Sequence, residues 1–237
     1  IPCDYCFTNL FNKCLLVQAP ELPATELTKG CYSGMFSSCA SLQKAPELPA
    51  ETIKDESYSA MFSGCINLTE TPELRATTLG EHCYMGMFVG CGNLTKAHDL
   101  QAMKLETGCY EYMFTSCQSL KTPPALPATE LADSCYNYMF LTCTSLTKAP
   151  LLPATTLKKN CYDHMFTACI NLEEVPDLGA TVAAENSCDG MFISCYNLKK
   201  APALPATTLD DNCYHLMFAG CVNLTEAPEL PATVMKD

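Results

Sequence analysis

Basic residues are scarce in this chain. Lysine and arginine number 14 against 26 aspartates and glutamates, for a net charge of −12 over 237 residues. A nucleic-acid partner needs a clustered basic footprint, and none is visible. An anionic membrane surface would repel such a chain. Long apolar runs are missing as well. None approaches the ~20 residues of a transmembrane helix, so membrane insertion is not expected. Tryptophan is absent. No signal peptide is present at Ile1, which points to a leader already removed or to an excised piece of a longer protein.

What is present is apolar mass and cysteine. Hydrophobic residues make up 48% of the chain, enough for a large core. Eighteen cysteines are dense, and suggest secretion, metal, or a repeat that uses Cys.

The repeat is plain. Met-Phe pairs begin at 35, 61, 87, 113, 139, 165, 191 and 217, always 26 apart. A Cys follows four after each Met, a Leu seven after, another Leu thirteen after, and an Ala fifteen after. A partial copy, "CFTNLFNKCLLVQAPELPATEL", precedes them with one residue dropped. A fixed period of this size means a solenoid, in which stacked coils bury what one coil cannot. One repeat domain, 1–237, is expected: a partial repeat at 1–27, then about eight 26-residue units, the last truncated.

Within a unit, Leu157, Cys161, Tyr162, Met165, Phe166 and Cys169 have the spacing of one helix face, with Thr155 or Thr156 as its cap. "LTKA" reads as a strand ended by a proline column that only His98 interrupts. In the seventh full unit Ser187 takes a Cys position, and Cys188 is expected to keep the same helix face. The fold class is therefore an α/β repeat solenoid, leucine-rich-repeat-like, with one short parallel strand and one short helix per 26-residue coil. A further column runs Lys44, Glu70, Lys96, Thr122, Lys148, Glu174, Lys200, Glu226. Stacking would set opposite charges against each other.

The motif MFxxCxxLxxxPxLPATTL resembles the BspA-like leucine-rich repeats of Bacteroides-type bacteria. "MFSGCINLT" at 61–69 is also similar to repeats of Mycoplasma-like surface lipoproteins of that group. The resemblance covers most of the chain. It implies a secreted or surface-displayed protein, in a group several of whose members are associated with adhesion. Similar repeats also occur in phage-borne proteins.

Motifs that could carry chemistry are few. Cys-x7-Cys recurs, and two readings stay open: buried thiols acting as small hydrophobes, or bridges within a unit. Only Cys3 and Cys6 have a zinc-like CxxC spacing, with no second pair, so Cys3 is read as part of an N-terminal cap and no metal or cofactor is expected. His82, His98, His164 and His215 fall in different columns or distant coils. No catalytic set is suggested, and an enzyme is not expected. "LPAT" lacks the following Gly of a sortase signal and reads as a turn. Asn67, Asn93 and Asn223 head glycosylation sequons but share a column with serines, which favours a polar ladder.

Variable columns remain as candidates for binding. The residue before Met is Tyr112, Tyr138 and His164 in three central coils, with Glu111, Asn137 and Asp163 beside them. Stacked surface rings suit protein or sugar contacts. Twelve after Met comes an acidic stripe that includes Glu47, Glu73, Asp99 and Asp177. It suits a cationic partner, or serves as a solvated edge. The function expected is an extracellular or bacterial-surface recognition and adhesion module for a host or cell-surface protein or glycan. The alternative is a structural spacer or stalk of a surface protein or phage fibre. The chain stops at "PATVMKD", midway through a coil, so self-association through an uncapped end is a further expectation.

Overall fold

The computed structural model describes residues 3–235. The expectations drawn from Ile1 and from the last two residues of "PATVMKD" fall outside them. The 26-residue units are successive coils of one stack. Their common interior runs the length of the described chain, so the repeat reading of the sequence holds.

The segment around each Met-Phe pair is not a helix. Among the described residues no helix is present, and this corrects the expectation of one per coil. The amides show what replaces it. Cys109, Glu111, Met113, Thr115 and Cys117 each donate to the carbonyl three residues back, at 3.0–3.2 Å. The amides between them turn the other way. Gly108, Tyr110, Tyr112, Phe114 and Ser116 donate to carbonyls 25 residues ahead, in the next coil, at 2.8–3.0 Å. The segment is a ribbon of overlapping turns whose alternate amides stitch coil to coil.

Backbone dihedrals follow the same alternation. Gly108, Tyr112 and Ser116 have φ of 57°, 56° and 62°. Each is the third residue of a turn, where type II requires positive φ. The ribbon therefore repeats every four residues. Cys109, Tyr110, Met113, Phe114 and Cys117 all face inward, none more than 1% exposed. The inward spacing read as a helix face is this four-residue period.

Parallel β-structure is sparse. At the "LTKA" segments it amounts to isolated parallel bridges, such as Glu70 with Lys96 and Lys148 with Glu174, not four-residue strands. The named strands are β1 (Val182–Ala183), β2 (Thr208–Leu209) and β3 (Val234–Met235), paired in parallel in that order. They lie in the column of Thr156, where a helix cap was expected, and Thr156 itself bridges to Val182. The charge column stacks as anticipated. Lys96 Nζ lies 3.2 Å from Glu70 and Lys148 Nζ 2.8 Å from Glu174. Both pairs are exposed, so each contributes less than about 1 kcal/mol.

Aromatic columns run through the core. Phenylalanines stack from Phe11 through Phe36, Phe62, Phe88, Phe114, Phe140, Phe166 and Phe192 to Phe218, with centroids 5.4–5.7 Å apart. Beside them Phe7 and the tyrosines from Tyr32 to Tyr162 stack at 5.7–6.0 Å. Phe11 on Phe36 shows that the shortened first copy stacks on the interior as its end layer, with Phe7 and Leu10 still exposed. The tyrosine column stops where Cys188 takes its place. Ser187 sits in the first Cys column and Cys188 in the Tyr column, so the expected shift of Cys188 onto the Cys face does not occur.

No Cys-x7-Cys pair is bridged among the described residues. Cys3 and Cys6 form a disulfide. The remaining cysteines are free and buried, apart from half-buried Cys14. In the second column every thiol donates to a Phe carbonyl of the coil before it, from Cys39 to Phe11 through Cys221 to Phe192, at 3.0–3.2 Å.

Candidate recognition surface

The residue before each Met sits where the ribbon demands positive φ. Glycine meets that demand at no steric cost, and Gly34, Gly86 and Gly190 occupy the position. Tyr112, Tyr138 and His164 hold it with φ of 56°, 54° and 51°. Placing a bulky side chain there costs about 1–2 kcal/mol each. The fold imposes this backbone in every coil, so the strain belongs to the ribbon. The rings are what differs.

The three rings stack. Centroids of Tyr112 and Tyr138 are 5.0 Å apart, and those of Tyr138 and His164 are 4.9 Å apart. Tyr112 is 36% exposed. Each ring leans toward the coil that follows. His164 lies over Gly190, where an added Cβ would come within 2.7 Å of its Nε2. At the other end Gly86 supplies no side chain to lean on Tyr112. A Cβ there would meet only Val89 Cγ2, at 3.4 Å. The stack ends on the Gly190 backbone and the Ile193 side chain below, and carries no further ring at Gly86 above.

One residue earlier in each coil runs a polar row: Glu111, Asn137, Asp163, Asp189 and His215. Asn137 Nδ2 donates to Glu111 Oε1 at 3.1 Å. Glu111 Oε2 also lies 3.8 Å from His82 Nδ1. Asp163 pairs with His164, and Asp189 Oδ1 pairs with His215 Nδ1 at 3.0 Å. Burial pushes the Glu111 carboxyl above its usual range, with His82 and Asn137 pulling the other way. Asp163 is likewise raised by burial and opposed by His164. The phenols of Tyr112 and Tyr138 are raised by burial and then by these carboxylates.

The structure thus brings Tyr112, Tyr138, His164, Glu111, Asn137 and Asp163 onto one flank. His82, Asp189 and His215 belong to it too and were not singled out. Their signal was positional, since His215 follows Asp189 by one repeat.

The acidic stripe is elsewhere. Its members border depressions lined by the proline columns, one of about 460 Å³ at Glu21 and Glu47 and one of about 420 Å³ at Asp177 and Glu229. Asp99 Oδ1 accepts the amide of Ala125, and Asp177 Oδ1 that of Ala203, each at 2.8 Å. Those two carboxylates fasten coil to coil. Glu73 is held by Arg75 at 2.8 Å. Glu47 is exposed. Where His98 replaces proline, its amide donates to Thr71 Oγ1 at 2.9 Å, a bond proline could not make. Among the described residues no group of three or more His, Cys, Asp or Glu is placed to hold a metal ion.

A solved structure of a leucine-rich repeat protein from Bacteroides ovatus ATCC 8483 is similar at 19% identity, over 84% of this chain and 70% of that one, with a TM-score of 0.31. No family profile and no curated protein matches the chain.

Proposed function

We propose that the chain is a non-enzymatic recognition module that presents the Tyr112–Tyr138–His164 flank to a protein or glycan. The observation that carries this reading is the ring stack. The interior does not depend on it, because the Phe column runs through every coil and the Met, Cys and Leu columns pack beside it. Three adjacent rings occupy a strained column held elsewhere by Gly34, Ala60, Gly86, Gly190 and Leu216, and they remain partly exposed. Aromatic groups held rigid at a surface are efficient anchors. Placement outside the cell, with an adhesive role, is part of the proposal and rests on the resemblance of the repeat motif alone.

The test uses the column's own alternative residue. A variant carrying Tyr112→Gly, Tyr138→Gly and His164→Gly relieves the backbone strain and loses ring stacking of about 0.5–1.5 kcal/mol per pair, so its thermal midpoint should stay near that of the wild type. Protein and glycan arrays probed with both forms should show a ligand retained by the wild type and lost by the variant. A ligand bound equally by both sinks the reading. If the wild type binds nothing, the spacer reading is the one supported, and the unbroken phenylalanine column supplies the stiffness such a role needs.

A further inference from the structure

The polar row beside the rings is short of hydrogen-bond donors. An asparagine side chain has one donating end and one accepting end. Asn137 commits its Nδ2 to Glu111. Its Oδ1 is buried with no partner, and the residue is only 7% exposed. Turning the amide over moves the deficit without curing it, since Glu111 would then meet the carbonyl. The neighbours in the row, Glu111 and Asp163, are acceptors when ionised, and so is Asp189 beyond them. His82 is too far from Glu111 for a hydrogen bond. Both Glu111 and Asp163 keep about 16% of their side chains in contact with solvent, so they can still be reached.

A donor that satisfies this row should carry positive charge and several N–H groups. Net charge of −12 draws cations to the chain as a whole. The rings narrow the choice further. Tyr112 offers an open face toward Gly86, and a planar cation gains from lying against such a face. Guanidinium is planar with five donors in a fixed fork, whereas an ammonium is a hydrated point charge.

We infer that this flank is a docking site for an arginine side chain of a basic partner protein, held at the Glu111–Asn137 pair against the open face of Tyr112, with Asp163 adding negative charge one coil further on. The inference rests on the recognition reading above and names its partner class as protein.

The test is binding of acetylated tetra-arginine amide at physiological salt, followed by fluorescence anisotropy. Tetra-lysine amide is the parallel probe. Glu111→Gln with Asp163→Asn should weaken tetra-arginine binding about tenfold or more, a loss of about 1.4 kcal/mol. Glu47→Gln with Glu73→Gln removes the same charge from the stripe and should leave it within about twofold. Tetra-lysine should bind the wild type more weakly than tetra-arginine. Equal losses in the two double variants, no loss in either, or equal affinity for both probes overturns the inference.

A second measurement needs no variant. Titrating the wild type with acetyl-arginine amide should move the ring resonances of Tyr112 and Tyr138 before those of the buried tyrosines. Unmoved rings also overturn it. A glycan lost by the ring variant but kept by Glu111→Gln with Asp163→Asn would reject the arginine site while the recognition reading stands.

Discussion

Each cysteine of the second column gives a buried carbonyl its second partner. Phe114 O, for example, accepts the amide of Cys117 and then the thiol of Cys143 in the next coil, at 3.1 Å. Alanine would fill much of the space but leave that acceptor with one bond. The same burial quiets the sulfur. Cys65, Cys135 and Cys143 are pushed up to about 12, chiefly by desolvation. Thiolate is the reactive form, so these groups are inert in the fold. Iodoacetamide at pH 8 should label Cys14 alone in native protein and every cysteine except Cys3 and Cys6 once it is denatured; intact mass reads both. Stability should fall at alkaline pH, and the sign follows from linkage. The unfolded chain ionises its thiols near pH 8.5 while the folded one keeps them protonated. The unfolded state is then the one that gains as pH rises, so the thermal midpoint should drop steeply from about pH 8.5 upward. A flat midpoint to pH 10 would contradict the burial of these columns.

The ribbon of turns is the element that explains both what the sequence disclosed and what it hid. Its period, its inward columns and the stacking of Lys148 on Glu174 were all legible, because identical coils must place identical residues at identical depths. The helix was not there, because steps of four residues imitate one helix face over a short window. A helix rotates about 40° per four residues, so three such steps drift by about 120°. The inward set Leu157, Cys161, Met165, Cys169 does not drift. A second clue lay in columns four apart that collect Gly, Asn and Ser, such as Asn160, His164 and Ala168 and their equivalents, all with positive φ. The ring flank could be read from its column, but the pairings of His82 and His215 could not. They depend on which way side chains lean between coils.

Two glycines in one coil isolate the backbone requirement of that ribbon. Gly90 has φ of 70° and open space where a Cβ would go, and Gly92 has equal space without positive φ. Gly90→Ala should cost about 1–2 kcal/mol. Gly92→Ala should be neutral or gain about 0.4–1 kcal/mol by restricting the unfolded chain. Urea denaturation of the pair decides this, and equal effects would refute the turn assignment.

At the scale of the whole molecule, the alternate peptide units of the ribbon all point one way. The unit joining Cys109 to Tyr110 accepts from Tyr84 through its carbonyl and donates to Cys135 through its amide, at 3.0 Å each. Its neighbours two residues on either side do the same in every central coil. These units line up head to tail along the stack, as peptides do along a helix axis. Several such files run side by side, and adjacent coils polarise one another through them. The solenoid is therefore an electret: carbonyl-rich and partially negative toward its first coil, amide-rich and partially positive toward its last, with a permanent moment that grows with every coil added.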